Sequence, residues 1–154
     1  MTAPLKIEIA KRADGAGVLS CIRPDGSRTW QKQKSTVAPH FALHDLTHYA
    51  VETTLAYRRG FFGLIQQGWD IDDTTGKGSK GVLPNEAVEV ERIVGLFDME
   101  RASGSTMTLA ELNAHSLRPL SGAEFEAIRN RRRELFERWR EVASGDKLEL
   151  LYPI

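Results

Sequence analysis

Four side chains within nine residues, His44, Asp45, His48 and Glu52, carry the best candidate chemistry in this chain. His44 and His48 are four apart, so on a helix both imidazoles project from one face about one turn from each other, the spacing by which two histidines grip one metal ion. Glu52 extends the series by another turn. At about 1.5 Å per residue it stands about 12 Å along the axis from His44. One ion therefore takes His44 with His48, or His48 with Glu52, and a further ligand from elsewhere. The histidine pair is the preferred set, with His115 as the expected outside ligand and His40, Glu86, Glu89 and Asp98 as alternatives. Asp45 and Glu52 are the candidates for moving protons at metal-bound water, and zinc is the divalent ion expected. The competing reading makes the histidines satisfied core groups, bonded to carbonyls and to Asp45 and Glu52.

The elements that must position these residues follow from periodicity. No breaker interrupts residues 39–59, and apolar residues occupy most sides of the wheel, so a buried helix is expected. Before it, three short segments at 5–10, 18–23 and 27–33 read as a β-meander, Leu5, Ile7 and Ile9 alternating with Lys6 and Glu8. After it come a short helical stretch at 61–67 and a polar, glycine-bearing segment at 72–81, expected to be a mobile loop bordering the site. Helices are expected at 84–102, at 108–115 behind the capping box of Thr108 and Glu111, and from Ser121 with Glu124 to about residue 144. Residues 147–152 alternate as a last strand, able to pair with the meander. The expected fold is α+β, one domain over residues 1–154, a small antiparallel sheet packed against about four helices.

The run His44-Asp45-Leu46-Thr47-His48 resembles two families. In zinc peptidases with His-Glu-x-x-His helices, the acid after the first histidine is the general base; Asp45 holds that position here, one methylene shorter. The run also resembles the His-Asp-x-x-His motif of a helical ubiquinone-biosynthesis family thought to hold a metal there. That motif places a glutamate twelve positions after the second histidine, where this chain has Gly60. More broadly, residues 39–52 followed by 59–69 resemble a pattern found in uncharacterised bacterial proteins, which implies a shared fold.

Composition narrows the remaining classes. Lys plus Arg (21) equals Asp plus Glu (21), so no global field draws the chain to DNA or an acidic membrane. Neither nucleic acid nor membrane is an expected partner; a small-molecule ligand is. Arg129, Arg131, Arg132 and Arg133 are interleaved with Glu126, Glu134 and Glu137, the pattern of a solvated helix face. Trp30, Trp69 and Trp139 are expected in the core. Cys21 is the only cysteine, and with no signal-peptide pattern at the N-terminus it points to a reducing, cytoplasmic setting. Two functions remain: a small metal-dependent hydrolase centred on His44 and His48, or a non-catalytic binding or assembly protein, a homo-oligomer included, whose His/acid helix is a buried network.

Overall fold

The computed structural model describes residues 3–32 and 38–153. Three strands, β1 (Leu5–Lys11), β2 (Gly17–Ile22) and β3 (Arg28–Lys32), form the meander. Helices α1 (Ala38–Thr54) and α2 (Phe61–Gln66) follow, then a 3₁₀ turn (Ile71–Thr75), α3 (Asn85–Ser103), α4 (Leu109–His115), α5 (Gly122–Glu141) and the last strand β4 (Lys147–Tyr152). The sheet is antiparallel with order β3-β2-β1-β4, so the last strand pairs with the first. The α+β expectation holds: among the described residues there are four strands and five α-helices, of which α1, α2 and α5 share an apolar cluster with the sheet. The expected strand end at Gln33 lies outside the described residues.

Alternation sets the sheet's two faces. Leu5, Ile7, Ile9, Leu19, Cys21, Leu148, Leu150 and Tyr152 are buried under the helices, while on the other face Lys6 pairs with Glu8 and Lys147 pairs with Glu8 and Glu149. Trp30, expected in the core, is 62% exposed because β3 is an edge strand and its outward residues meet solvent. Trp139 does reach the core.

α1 lies at the centre. Leu46, Tyr49 and Ala50 join the apolar cluster under the sheet, whereas Val51 joins a second cluster with Val90, Ile93, Val94 and Phe97 of α3 and Phe125 and Ile128 of α5. The Tyr49 hydroxyl donates to the Leu151 carbonyl at 2.7 Å and ties α1 to β4.

α1 stops at Thr54, five residues short of the expected end. Ala56 takes a left-handed conformation (φ 56°), and the Tyr57 amide turns back to the Glu52 carbonyl at 3.0 Å. Residue type gave no warning, since glycine is the usual occupant of such a cap. The segment at 72–81, expected to be a mobile loop, starts inside the 3₁₀ turn and is bonded at several points. Asp70 and Asp73 cap the 3₁₀ turn reciprocally, Ser79 donates to Asp73 at 3.2 Å, and the Ile71 amide donates to Thr29 of β3 at 3.0 Å.

Candidate metal centre

His40, His44, His48 and Glu52 recur every four residues and form one stripe along α1. Facing it, the antiparallel α3 presents Glu91, Asp98 and Arg101, Glu91 and Asp98 being two turns apart on the same side. The contacts pair off in order: His48 Nε2 lies 2.9 Å from Glu91, His44 Nδ1 lies 2.5 Å from Asp98, and His40 Nδ1 accepts from Arg101. The seam between two helices thus becomes polar without orphaning the imidazoles, which is the condition for burying them.

Glu52 is fully buried at the inner end of this stripe. Its carboxylate accepts from the amides of Phe61 (2.9 Å), Phe62 (3.0 Å) and Gly63 (3.4 Å) at the start of α2, and from His48 Nδ1 at 3.1 Å. Close backbone approach makes this cradle possible. A Cβ at Gly60 would stand 2.6 Å from the Glu52 carboxyl carbon, and one at Gly63 would stand 2.1 Å from the Arg58 carbonyl oxygen. Both oxygens of Glu52 are therefore committed, and its visible job is to fix the His48 ring.

Two overlapping groups of side chains bring three potential ligand atoms within 4.8 Å of one another: His44 with His48 and Glu91, and His40 with His44 and Asp98. They differ in their surroundings. The second group has the Arg101 guanidinium on His40 and 3.8 Å from Asp98, a fixed positive charge that opposes a cation. In the first group each histidine has its Nδ1 held by a carboxylate, Asp98 for His44 and Glu52 for His48, and the Nε2 of His48 faces Glu91. This is the carboxylate–histidine arrangement that orients metal-binding imidazoles and raises their basicity. The His48 side chain is 2% exposed and that of Glu91 is 50% exposed, so the group is anchored inside and opens to water at Glu91. Beside Glu91 runs an open depression of about 480 Å³ along Val88, Arg92, Gly95, Leu96 and Met99.

The electrostatics also suit a proton. Burial alone would push the His48 imidazole down, but its bonds to Glu52 and Glu91 outweigh that and push it up to about 10. Glu91 is held below its ordinary range by the same pairing, against the opposing effect of its own desolvation.

The chain matches no protein-family model, no curated protein and no solved structure. Function therefore rests on the geometry. The structure brings together His44, His48 and Glu52 of the residues singled out from sequence, with Glu52 behind His48 and not beside the open side of the group. Asp45 is buried and belongs to neither group; its charge reaches Cys21 of β2, whose thiol burial, and then Asp45, push well upward. His115 stands exposed at the end of α4, its carbonyl accepting from Arg92 at 3.0 Å, and joins neither group among the described residues. Glu91, in the outside-ligand place expected for His115, was missed. Its sequence signal is modest: it flanks the buried stripe of Val90, Ile93 and Val94, and it is seven residues before Asp98.

Proposed function

We propose that this protein binds one divalent metal ion between α1 and α3, with His44, His48 and Glu91 as ligands and Asp98 and Glu52 as the carboxylates that orient the two rings. The observation that carries the reading is the coincidence of three ligand atoms within 4.8 Å and a carboxylate on the Nδ1 of each histidine. Two imidazoles and one carboxylate leave coordination positions for water and substrate, the pattern of catalytic rather than structural sites. The half-exposed Glu91 gives those positions access to solvent. A bound ion there would polarise a substrate oxygen and make water acidic enough to attack at neutral pH, which supports a hydrolytic reaction with zinc as the ion. Glu52 acts in this reading as a positioning residue through His48.

The second reading is a non-catalytic protein in which His48 is a charged imidazolium clamped between Glu52 and Glu91. The observation favouring it is that both nitrogens of His48 already have carboxylate partners, at 3.1 and 2.9 Å. Metal and proton compete for the same nitrogen, so the two readings exclude each other at His48 Nε2.

Elemental analysis of tag-free protein, wild type beside Glu91→Ala, separates them. The metal reading expects about one equivalent of zinc or another divalent ion in wild type, and its loss from the folded variant. A wild type that holds no metal, and gains no thermal stability when zinc, manganese, iron or nickel is added, leaves the imidazolium reading standing.

A further inference from the structure

On the other side of Arg101 lies an open cavity of about 580 Å³, bordered by the end of α3, the turn at Gly104, Ser105 and Thr106, one face of α5, and Leu43 of α1. Its polar wall is made of guanidinium groups. Arg101, Arg132 and Arg140 all line it, against a single carboxylate, Glu100. Glu100 is already neutralised by a two-pronged bond to Arg129, at 2.7 and 2.5 Å. The three arginines therefore outnumber the carboxylates beside them, Arg101 being paired only at 3.8 Å with Asp98 behind the wall.

Each arginine also keeps unused donors. Arg132 is half-buried between α1, α3 and α5, yet it donates only to the Thr47 hydroxyl (3.1 Å) and the Phe97 carbonyl (3.3 Å), and it forms no ion pair among the described residues. The Arg101 Nε is buried with no partner, and the nearest carboxylate oxygen, on Asp98, is 3.8 Å from its Nη2. Arg140 is exposed and, among the described residues, in no ion pair. Burying a guanidinium without a carboxylate costs free energy unless an anion arrives to meet it. The rest of the wall is apolar and aromatic: Phe136 lies under Arg132 at 4.6 Å, and Trp139 and Leu43 complete it.

We propose that this cavity binds a small organic anion, its phosphate or carboxylate group held by Arg101, Arg132 and Arg140 and its flat apolar body lying against Phe136 and Trp139. The forked guanidinium matches either oxyanion in two-pronged fashion, and the aromatic floor selects a ligand with a ring over inorganic phosphate. The site is independent of the metal reading, since none of its residues is a proposed ligand.

Isothermal titration of the purified protein with phenyl phosphate, benzoate, inorganic phosphate and benzyl alcohol tests this, repeated with a chelator present. Phenyl phosphate or benzoate is expected to bind with one-to-one stoichiometry, more tightly than inorganic phosphate, and to do so unchanged in the chelator; whichever of the two binds tighter names the head group. Benzyl alcohol is expected not to bind. Arg140→Glu, a change at an exposed residue, is expected to weaken binding by about tenfold or more. Arg132→Lys keeps the charge but loses the fork and is expected to weaken it as well. The proposal is overturned if neither aromatic anion binds the folded protein, if benzyl alcohol binds as well as they do, or if Arg140→Glu leaves their affinity unaltered.

Discussion

Two polar seams flank α1, and they carry opposite signs. Along α3 the helix sets His44 and His48 among Asp98, Glu91 and Glu52, a surplus of carboxylates that draws a cation or a proton. Toward α5 it sets Thr47, Thr53 and Leu43 among Arg131, Arg132 and the end of α3, a surplus of guanidinium. Arg101 stands at the boundary, bonded to His40 and facing the arginine cavity. A chain with 21 basic and 21 acidic residues is neutral as a whole, yet it is strongly polarised across one helix. Net charge speaks for long-range steering and says nothing of such local segregation.

The sharpest break of the carboxylate seam is Glu52→Ala. It strips the cradle amides of their acceptor and leaves His48 without its inner partner, a buried loss expected to cost about 3–5 kcal/mol. Chemical denaturation reads the loss directly. A variant as stable as wild type would mean that the cradle contributes nothing. Next in size is Gly60→Ala, which pushes a methyl group into the Glu52 carboxylate and should cost about 1–3 kcal/mol, with metal content falling in parallel if the His48 ring turns.

The arginine seam should fail with acid. Burial raises the Glu100 carboxyl, but its bonds to Arg129 and to the Met107 amide more than reverse this and hold it below its ordinary 4.5. A carboxylate depressed in the folded state adds stability above its unfolded value, and that stability disappears as pH falls through the folded one. Glu100→Gln should therefore cost about 1–3 kcal/mol at neutral pH and much less under acid, so thermal melts of variant and wild type should converge as pH drops below 4.5. Melts that stay parallel across that range would remove Glu100 from the account. The smallest effect is expected where neither seam is touched. Ala56→Gly relieves the left-handed cap at the end of α1 and should raise stability by up to about 1 kcal/mol without altering metal or anion binding.

Much of the scaffold was legible because its signals are local. The Thr108 cap of α4, the capping box of α5, the meander and the pairing of β4 with β1 all follow from spacing and alternation that a neighbouring element does not overrule. The left-handed stop at Ala56 was not legible, because the reason to turn there is the Glu52 cradle, nine to eleven residues away in sequence from the amides that fill it. The arginines of α5 misled for a related reason. Interleaved glutamates suggest a solvated face, but Arg129, Arg131 and Arg132 point inward to Glu100, Thr53 and Thr47. Helical spacing fixes which residues share a face and leaves open what that face meets.

The sequence by itself determined that His44 and His48 share one face of a buried helix, since a four-residue interval on a helix admits no other outcome. Only the tertiary structure decided that Glu91, and not His115, completes the group, that Glu52 stands behind His48 instead of before a substrate, and that three arginines converge at the end of α3. The first and last depend on residues brought together by the seating of α3 and α5 on α1, and the second on α2 folding back over Glu52; no local pattern encodes the rotation of one packed helix against another.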